Sequence, residues 1–226
     1  METIIKHLPC EINRERLFKY LHLNPNASYI KRVDKMIEEA LKVGKPKIAY
    51  KLAYVDSKGE DFIIVEDIKF TSKVLRINLE QIYKVVAYVI TSGIELEEWS
   101  KNYHDSFNIL CADGIKEEVL RCASTIIFRQ IDEELNLGKT TDMNPGSLPN
   151  WPLTEQEPLF RLIGNVKALI GVELSESCLM SPIKSVSGFR FSTESSYVNC
   201  QLCLQENCPG RKAPFDKELY ENKYQL

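Results

Sequence analysis

Val85-Val86-Ala87-Tyr88-Val89-Ile90 is apolar at every position and stops at Thr91-Ser92-Gly93. A run of β-branched and aromatic residues without alternation has no polar face to offer water, so it predicts a central strand covered on both sides. Around it, Ile12 to Leu21 and Tyr29 to Val43 read as helices. In the second, Ile30, Val33, Ile37, Ala40 and Leu41 recur at helical spacing, and Gly44 with Pro46 supplies the stop. Ile48, Tyr50, Leu52 and Tyr54 then alternate with Ala49, Lys51 and Ala53, the period of a strand with one better-buried face. A turn at Ser57-Lys58-Gly59 leads to a second strand, Phe62 to Val65, making a hairpin.

The longest predicted helix runs from about Asp113 to Leu135, where Ile115, Val119, Ala123, Ile126, Ile127 and Ile131 form one apolar stripe. From Asn136 to Trp151 the composition shifts to Gly, Pro, Ser, Asn and Thr, which reads as a long loop, either a linker or, as favoured here, a binding segment. A short helix over Glu155 to Ile163 follows, then strands near Val172 to Cys178 and Val186 to Ser192, and a cysteine-bearing segment with a polar tail. Helices interleave irregularly with short strands and no Gly-rich strand–turn–helix crossover recurs, so the expected class is α+β. The expected organisation is one domain in two parts: 1–140 with helices, strands and the long helix, and 141–226 with the Pro/Gly loop, strands and cysteine segment.

A chain of 226 residues with 44% hydrophobic content can bury a full core. Its net charge of −3 and pI near 5.8 argue against a nucleic-acid partner, since phosphate backbones call for a basic surface. No apolar run approaches the ~18 residues of a membrane span. METIIKHLPCEINRER has neither the apolar core nor the cleavage site of a secretory signal, so the expected location is cytoplasmic. Thiols stay reduced there, and clustered cysteines then point to metal or redox chemistry.

Four of the seven cysteines fall in the last quarter: Cys178, then Cys200, Cys203 and Cys208 in NCQLCLQENCPGR. Two thiolates two residues apart can chelate one metal across a tight turn, so these four form the candidate metal site. The alternatives are packing thiols or a disulfide. A single CxxC pair, with Pro209 after the last cysteine, favours an iron–sulfur cluster over zinc, for which two CxxC knuckles are more usual. Cys10, Cys111 and Cys122 read as packing thiols.

Gly138-Lys139-Thr140 imitates the end of a P-loop, but the first glycine of that motif would fall on Glu133. His7, His22 and His104 are scattered and none lies in a zinc-protease pattern. In Asn144-Pro145-Gly146-Ser147-Leu148-Pro149-Asn150-Trp151-Pro152-Leu153, rigid prolines flank a glycine that lets backbone approach a ligand; the other reading is a structural loop anchored by Trp151. Glu173, Glu176 and Lys184 lie near Ser185-Val186-Ser187-Gly188, small polar residues that can present donors and hydroxyls.

Pro145-Gly146, then Ile170-Gly171-Val172-Glu173-Leu174-Ser175-Glu176-Ser177, then Met180, Pro182 and Ser185-Val186-Ser187-Gly188-Phe189, occur in an order that resembles the activation domain of cobalamin-dependent methionine synthase, especially its stand-alone versions. More weakly, the resemblance extends to the first helix and the central strand. It implies an α+β fold with a curved, mainly antiparallel sheet and packed helices. It also implies an S-adenosylmethionine groove lined by Asn144, Pro145, Gly146 and Ser147, with Glu117, Glu176, Ser185, Ser187 and Tyr197 nearby. The implied role is reactivation of a corrinoid-dependent methyltransferase or corrinoid carrier, with an electron from a separate donor. No Asp-x-His-x-x-Gly corrin-ligand signature is present, so the corrinoid would belong to the partner.

Three departures qualify the match. The family's arginine four residues before the loop glycine is Asp142 here, its aromatic after the glycine is Ser147, and Tyr197 is followed by the cysteine cluster. A carboxylate cannot clamp another carboxylate. Hence the second reading: an iron–sulfur or zinc protein that docks on, or passes electrons to, a corrinoid methyltransferase without binding S-adenosylmethionine.

Overall fold

The computed structural model describes residues 2–148, 150–194, 198–208 and 211–224. In chain order the elements are β1 (Ile4–His7), α1 (Arg14–Tyr20), α2 (Ile30–Val43), β2 (Lys47–Lys58), β3 (Phe62–Val65), β4 (Ile68–Thr71), α3 (Lys73–Asn78), β5 (Lys84–Thr91), α4 (Ile94–Ser100) and α5 (Ser106–Glu134). They continue with β6 (Thr140–Met143), α6 (Gln156–Ile163), α7 (Val166–Ile170), β7 (Glu173–Leu174), β8 (Met180–Ser181) and β9 (Ser185–Ser192). The class is α+β. Seven strands pair in the order β4-β3-β2-β5-β9-β6, with β1 also on β2, and every pairing is antiparallel.

The apolar run becomes β5, which lies between β2 and β9 and is buried at every position after Lys84. Its side chains divide by the two-residue period of a strand. Val85, Ala87 and Val89 join a core with Leu159, Leu162 and Val166 of α6 and α7. Val86, Tyr88 and Ile90 meet Leu120, Ala123, Ile127 and Ile131 of α5. The sheet is therefore the middle layer, and α5 covers one face. Truncating Ile127, fully buried at that junction, should cost about 2–5 kcal/mol.

α5 begins earlier than its apolar stripe predicts, because Asp105 caps it by accepting from Asn108 N at 3.0 Å. Its first half packs Cys111, Ala112, Ile115 and Val119 against α1, α2 and α4, and its second half packs on the sheet. Two partners in different directions explain why so much of its circumference is buried. Cys111 and Cys122 are buried thiols on this helix. Among the described residues no helix is long and apolar enough to cross a membrane.

Four sequence expectations need correction. The 136–151 segment is not all loop: Thr140–Met143 is an edge strand paired with β9. Ser57 and Lys58 still belong to β2, so the turn starts at Gly59. Val172 to Cys178 is not a continuous strand, since Glu173–Leu174 pairs with Met180–Ser181 across a short hairpin and Cys178 sits in the connection with φ 59°. The tail is not merely polar: Leu202 and Tyr224 are fully buried in the core, and Tyr224 Oη donates to Asn78 Oδ1 at 2.5 Å.

Candidate functional site

Where β6 ends, the chain turns across the end of β9 and opens a groove of about 490 Å³. One wall is the segment Asn144–Ser147, the floor is Ser185–Ser187 of β9, and Leu179, Met180 and Ile183 form an apolar rim. Leu179 and Ile183 are largely exposed, at 59% and 70%. Gly146 has φ +82°, and a Cβ there would meet Leu153 Cδ1 at 2.8 Å, so only glycine suits this turn. Its N–H donates to Trp151 O at 2.7 Å, and Ser147 N donates to Asn144 O at 3.2 Å. Trp151 is fully buried and stacks on Phe189 with centroids 5.8 Å apart. Asn150 Oδ1 accepts from Val74 N at 2.8 Å and fixes the loop to α3. Within the loop, 144–147 line the groove, while Asn150 and Trp151 anchor the segment to the core.

Floor and wall are joined by side chains. Asn144 Nδ2 donates to Ser187 O at 2.8 Å and to Tyr88 Oη at 2.9 Å. Burial pushes the Tyr88 phenol well up, so it stays protonated. Ser187 Oγ donates to Gln156 Oε1 at 3.2 Å, and Ser185 Oγ donates to Pro182 O at 2.7 Å. At Gly188 a Cβ would lie 2.3 Å from Met143 O, so the close approach of β6 and β9 beneath the groove needs glycine.

A second compartment of about 340 Å³ shares Asn144 and Val186 with the first, and Glu117, Arg121, Asp142 and Lys212 face it. Glu117 lies 3.6 Å from Lys184 Nζ and 3.7 Å from Arg121 Nη2. Asp142 is gripped through both oxygens by Arg190 Nη1, at 2.7 and 2.8 Å. The other edge of Arg190 holds Asp132 at 2.6 and 2.8 Å and donates to Thr140 Oγ1 at 2.6 Å. Burial pushes the Asp142 carboxyl up and Arg190 pulls it down, leaving it above the usual range. For Arg190, burial opposes the charge but the two carboxylates outweigh it and hold the guanidinium protonated.

The expected residues thus divide. Asn144, Pro145, Gly146, Ser147, Ser185 and Ser187 come together in the first compartment, and Glu117 lies in the second. Glu176 is exposed in the β7–β8 hairpin and lines neither. Tyr197, like Pro149 and Pro209, lies outside the described residues. Missed by sequence reasoning were Gln156, Asp132, Arg190 and Lys212. Arg190 had a signal: an arginine between the core residues Phe189 and Phe191 calls for a buried acid on the neighbouring strand.

The cysteines are not gathered into a ready shell. Among the described residues no group of three or more His, Cys, Asp or Glu side chains could hold a metal ion, and all seven cysteines are free thiols. Cys178 is buried, and its Sγ lies 3.5 Å from Glu157 Oε1. Burial and that carboxylate raise its pKa, against the thiolate a metal requires. Cys200 and Cys203 lie in one turn, where Arg211 donates to both their carbonyls at 2.8–2.9 Å. Cys200 Sγ accepts from Lys212 N at 3.3 Å. The segment is therefore held as a hydrogen-bonded strap.

A family model described as vitamin B12 dependent methionine synthase, activation domain, matches residues 145–210, the stretch that holds the loop, β9 and the cysteines. Among solved structures, the fold resembles the MetH reactivation domain crystallised with AdoHcy. The TM-score is 0.64 at 18% identity, over 87% of this chain and 80% of that one. No curated protein matches the sequence.

Proposed function

We propose that this chain binds S-adenosylmethionine in the first compartment and serves as a reactivation factor for a corrinoid-dependent methyltransferase or corrinoid carrier. One observation carries the reading: the wall and floor of the groove, 144–147 and 185–187, fall almost wholly inside the matched stretch 145–210 and meet on a fold shared with a reactivation domain bound to AdoHcy. The groove fits such a ligand physically. Gly146 and Ser147 expose backbone and hydroxyl groups, and Leu179, Met180 and Ile183 offer apolar surface for an adenine ring or thioether.

In this reading the chain's contribution is positioning. The open rim leaves a bound methyl group accessible to a cofactor presented by the partner. One electron from a separate donor takes the partner's Co(II) to the nucleophilic Co(I) state. The methyl carbon then leaves sulfur for cobalt; the C–S pair stays on sulfur, giving methylcobalt and S-adenosylhomocysteine. No side chain need act as an acid or base, since no proton moves. The bonds of Asn144 Nδ2 to Ser187 O and Tyr88 Oη hold the wall to the floor beside the ligand.

The test mixes the protein with a co-occurring Co(II) corrinoid protein, a one-electron reductant and S-adenosylmethionine. Growth of methylcobalt absorption that requires all four components supports the proposal. An unchanged spectrum with every co-occurring corrinoid protein refutes it.

A further inference from the structure

We propose that Lys212, delivered by the cysteine-rich segment, is the residue that binds the ligand's carboxylate. The proposal deepens the reading of the groove as an S-adenosylmethionine site and rests on it. S-adenosylmethionine ends in an α-amino acid, and the second compartment, which shares Asn144 and Val186 with the groove, is the neighbouring one lined by the charged residues Glu117, Arg121, Asp142 and Lys212.

The other charges facing that compartment are already engaged. Glu117 is shared by Lys184 and Arg121. Arg121 also lies 5.9 Å from the centroid of the Tyr20 ring. Asp142 is held by Arg190, and Arg190 is closed on its far side by Asp132. Lys212 is exposed and forms no ion pair with a described residue. Its ammonium acts on Asp142 only through space.

The balance of charge favours a zwitterion. Asp132 and Asp142 share one guanidinium, which leaves one excess negative charge beside Lys212. With a carboxylate on Lys212, the net negative charge of the Asp132–Arg190–Asp142 cluster faces the ligand's ammonium. The backbone of Lys212 is fixed by its N–H bond to Cys200 Sγ and by Arg211, which ties the carbonyls of Cys200, Cys203, Gln205 and Ala213. The cation therefore swings on an anchored stem, and the strap doubles as part of the site.

Calorimetric titration of the full chain with S-adenosylhomocysteine and with its decarboxylated analogue tests this, on wild type, Lys212→Gln and Lys212→Arg. Wild type and Lys212→Arg should favour the carboxylated ligand by about tenfold, the scale of one charge-assisted contact. Lys212→Gln should bind both ligands alike, with an unchanged melting temperature. A Lys212→Gln protein that keeps the wild-type preference overturns the proposal and leaves the groove reading standing. Wild type that binds neither ligand overturns both.

Discussion

Replacing Asp142 by arginine restores the residue type that the resembling family carries at this position, and here it should damage the protein. Asp142 faces Arg190 directly across the β6–β9 pair, so Asp142→Arg sets two guanidinium groups opposite each other. It also deletes two charge-assisted bonds, at 2.7 and 2.8 Å, between side chains that are 26% and 10% exposed. Breaking a largely buried pair costs about 3–5 kcal/mol. For a chain of this length about 2–4 °C accompany each kcal/mol, so the melting temperature should fall by about 10 °C. The assay is urea unfolding of wild type, Asp142→Arg, Arg190→Asp and the charge-swapped double variant. Asp132 loses its cation in both Arg190→Asp proteins, so the swap recovers only the 142–190 share, a coupling of about 2 kcal/mol. An Asp142→Arg protein within about 0.5 kcal/mol of wild type would refute the claim that this ion cluster fastens the wall of the groove to β9.

Three further outcomes follow from the same geometry. Gly146→Val should abolish S-adenosylhomocysteine binding while the fold survives, because the new side chain must adopt φ +82° and meets Leu153; unchanged affinity by calorimetry would put the ligand elsewhere. Burial holds the Tyr224 phenol up at about 12, so the folded state favours the neutral form. Its stabilisation is complete below the ordinary value near 10 and is lost as pH rises towards 12, up to about 2 kcal/mol; urea titrations should show Tyr224→Phe lacking that alkaline loss. Metal analysis of anaerobically purified protein should separate Cys178 from the others: Cys178→Ser leaves any bound metal unchanged, because its thiol is engaged by Glu157. A loss of metal in all four single Cys→Ser variants of Cys178, Cys200, Cys203 and Cys208 would restore the four-sulfur centre.

The central strand, the long helix and the antiparallel hairpin were legible because uninterrupted or periodic burial leaves a trace in every residue. β6 was not, since Thr140-Thr141-Asp142-Met143 looks like loop composition. It forms because Thr141 and Met143 turn into the core while Asp142 turns to Arg190, a partnership split between segments distant in sequence. Turn chemistry at Gly146 and the small polar residues Ser185–Ser187 hinted at a ligand surface, but that they line one groove came from the family resemblance. Lys212 was not, because its place depends on how the cysteine strap folds back. Spacing along the chain did not reveal the surroundings of Cys178, whose thiol the β7–β8 hairpin directs to Glu157.

A crystal structure of the protein grown with S-adenosylhomocysteine tests the central claim most directly. Ligand density is expected between Asn144–Ser147 and Ser185–Ser187, with the amino-acid end pointing towards Asp142 and Lys212. Density at another surface, with this groove left open at saturating ligand, would contradict it.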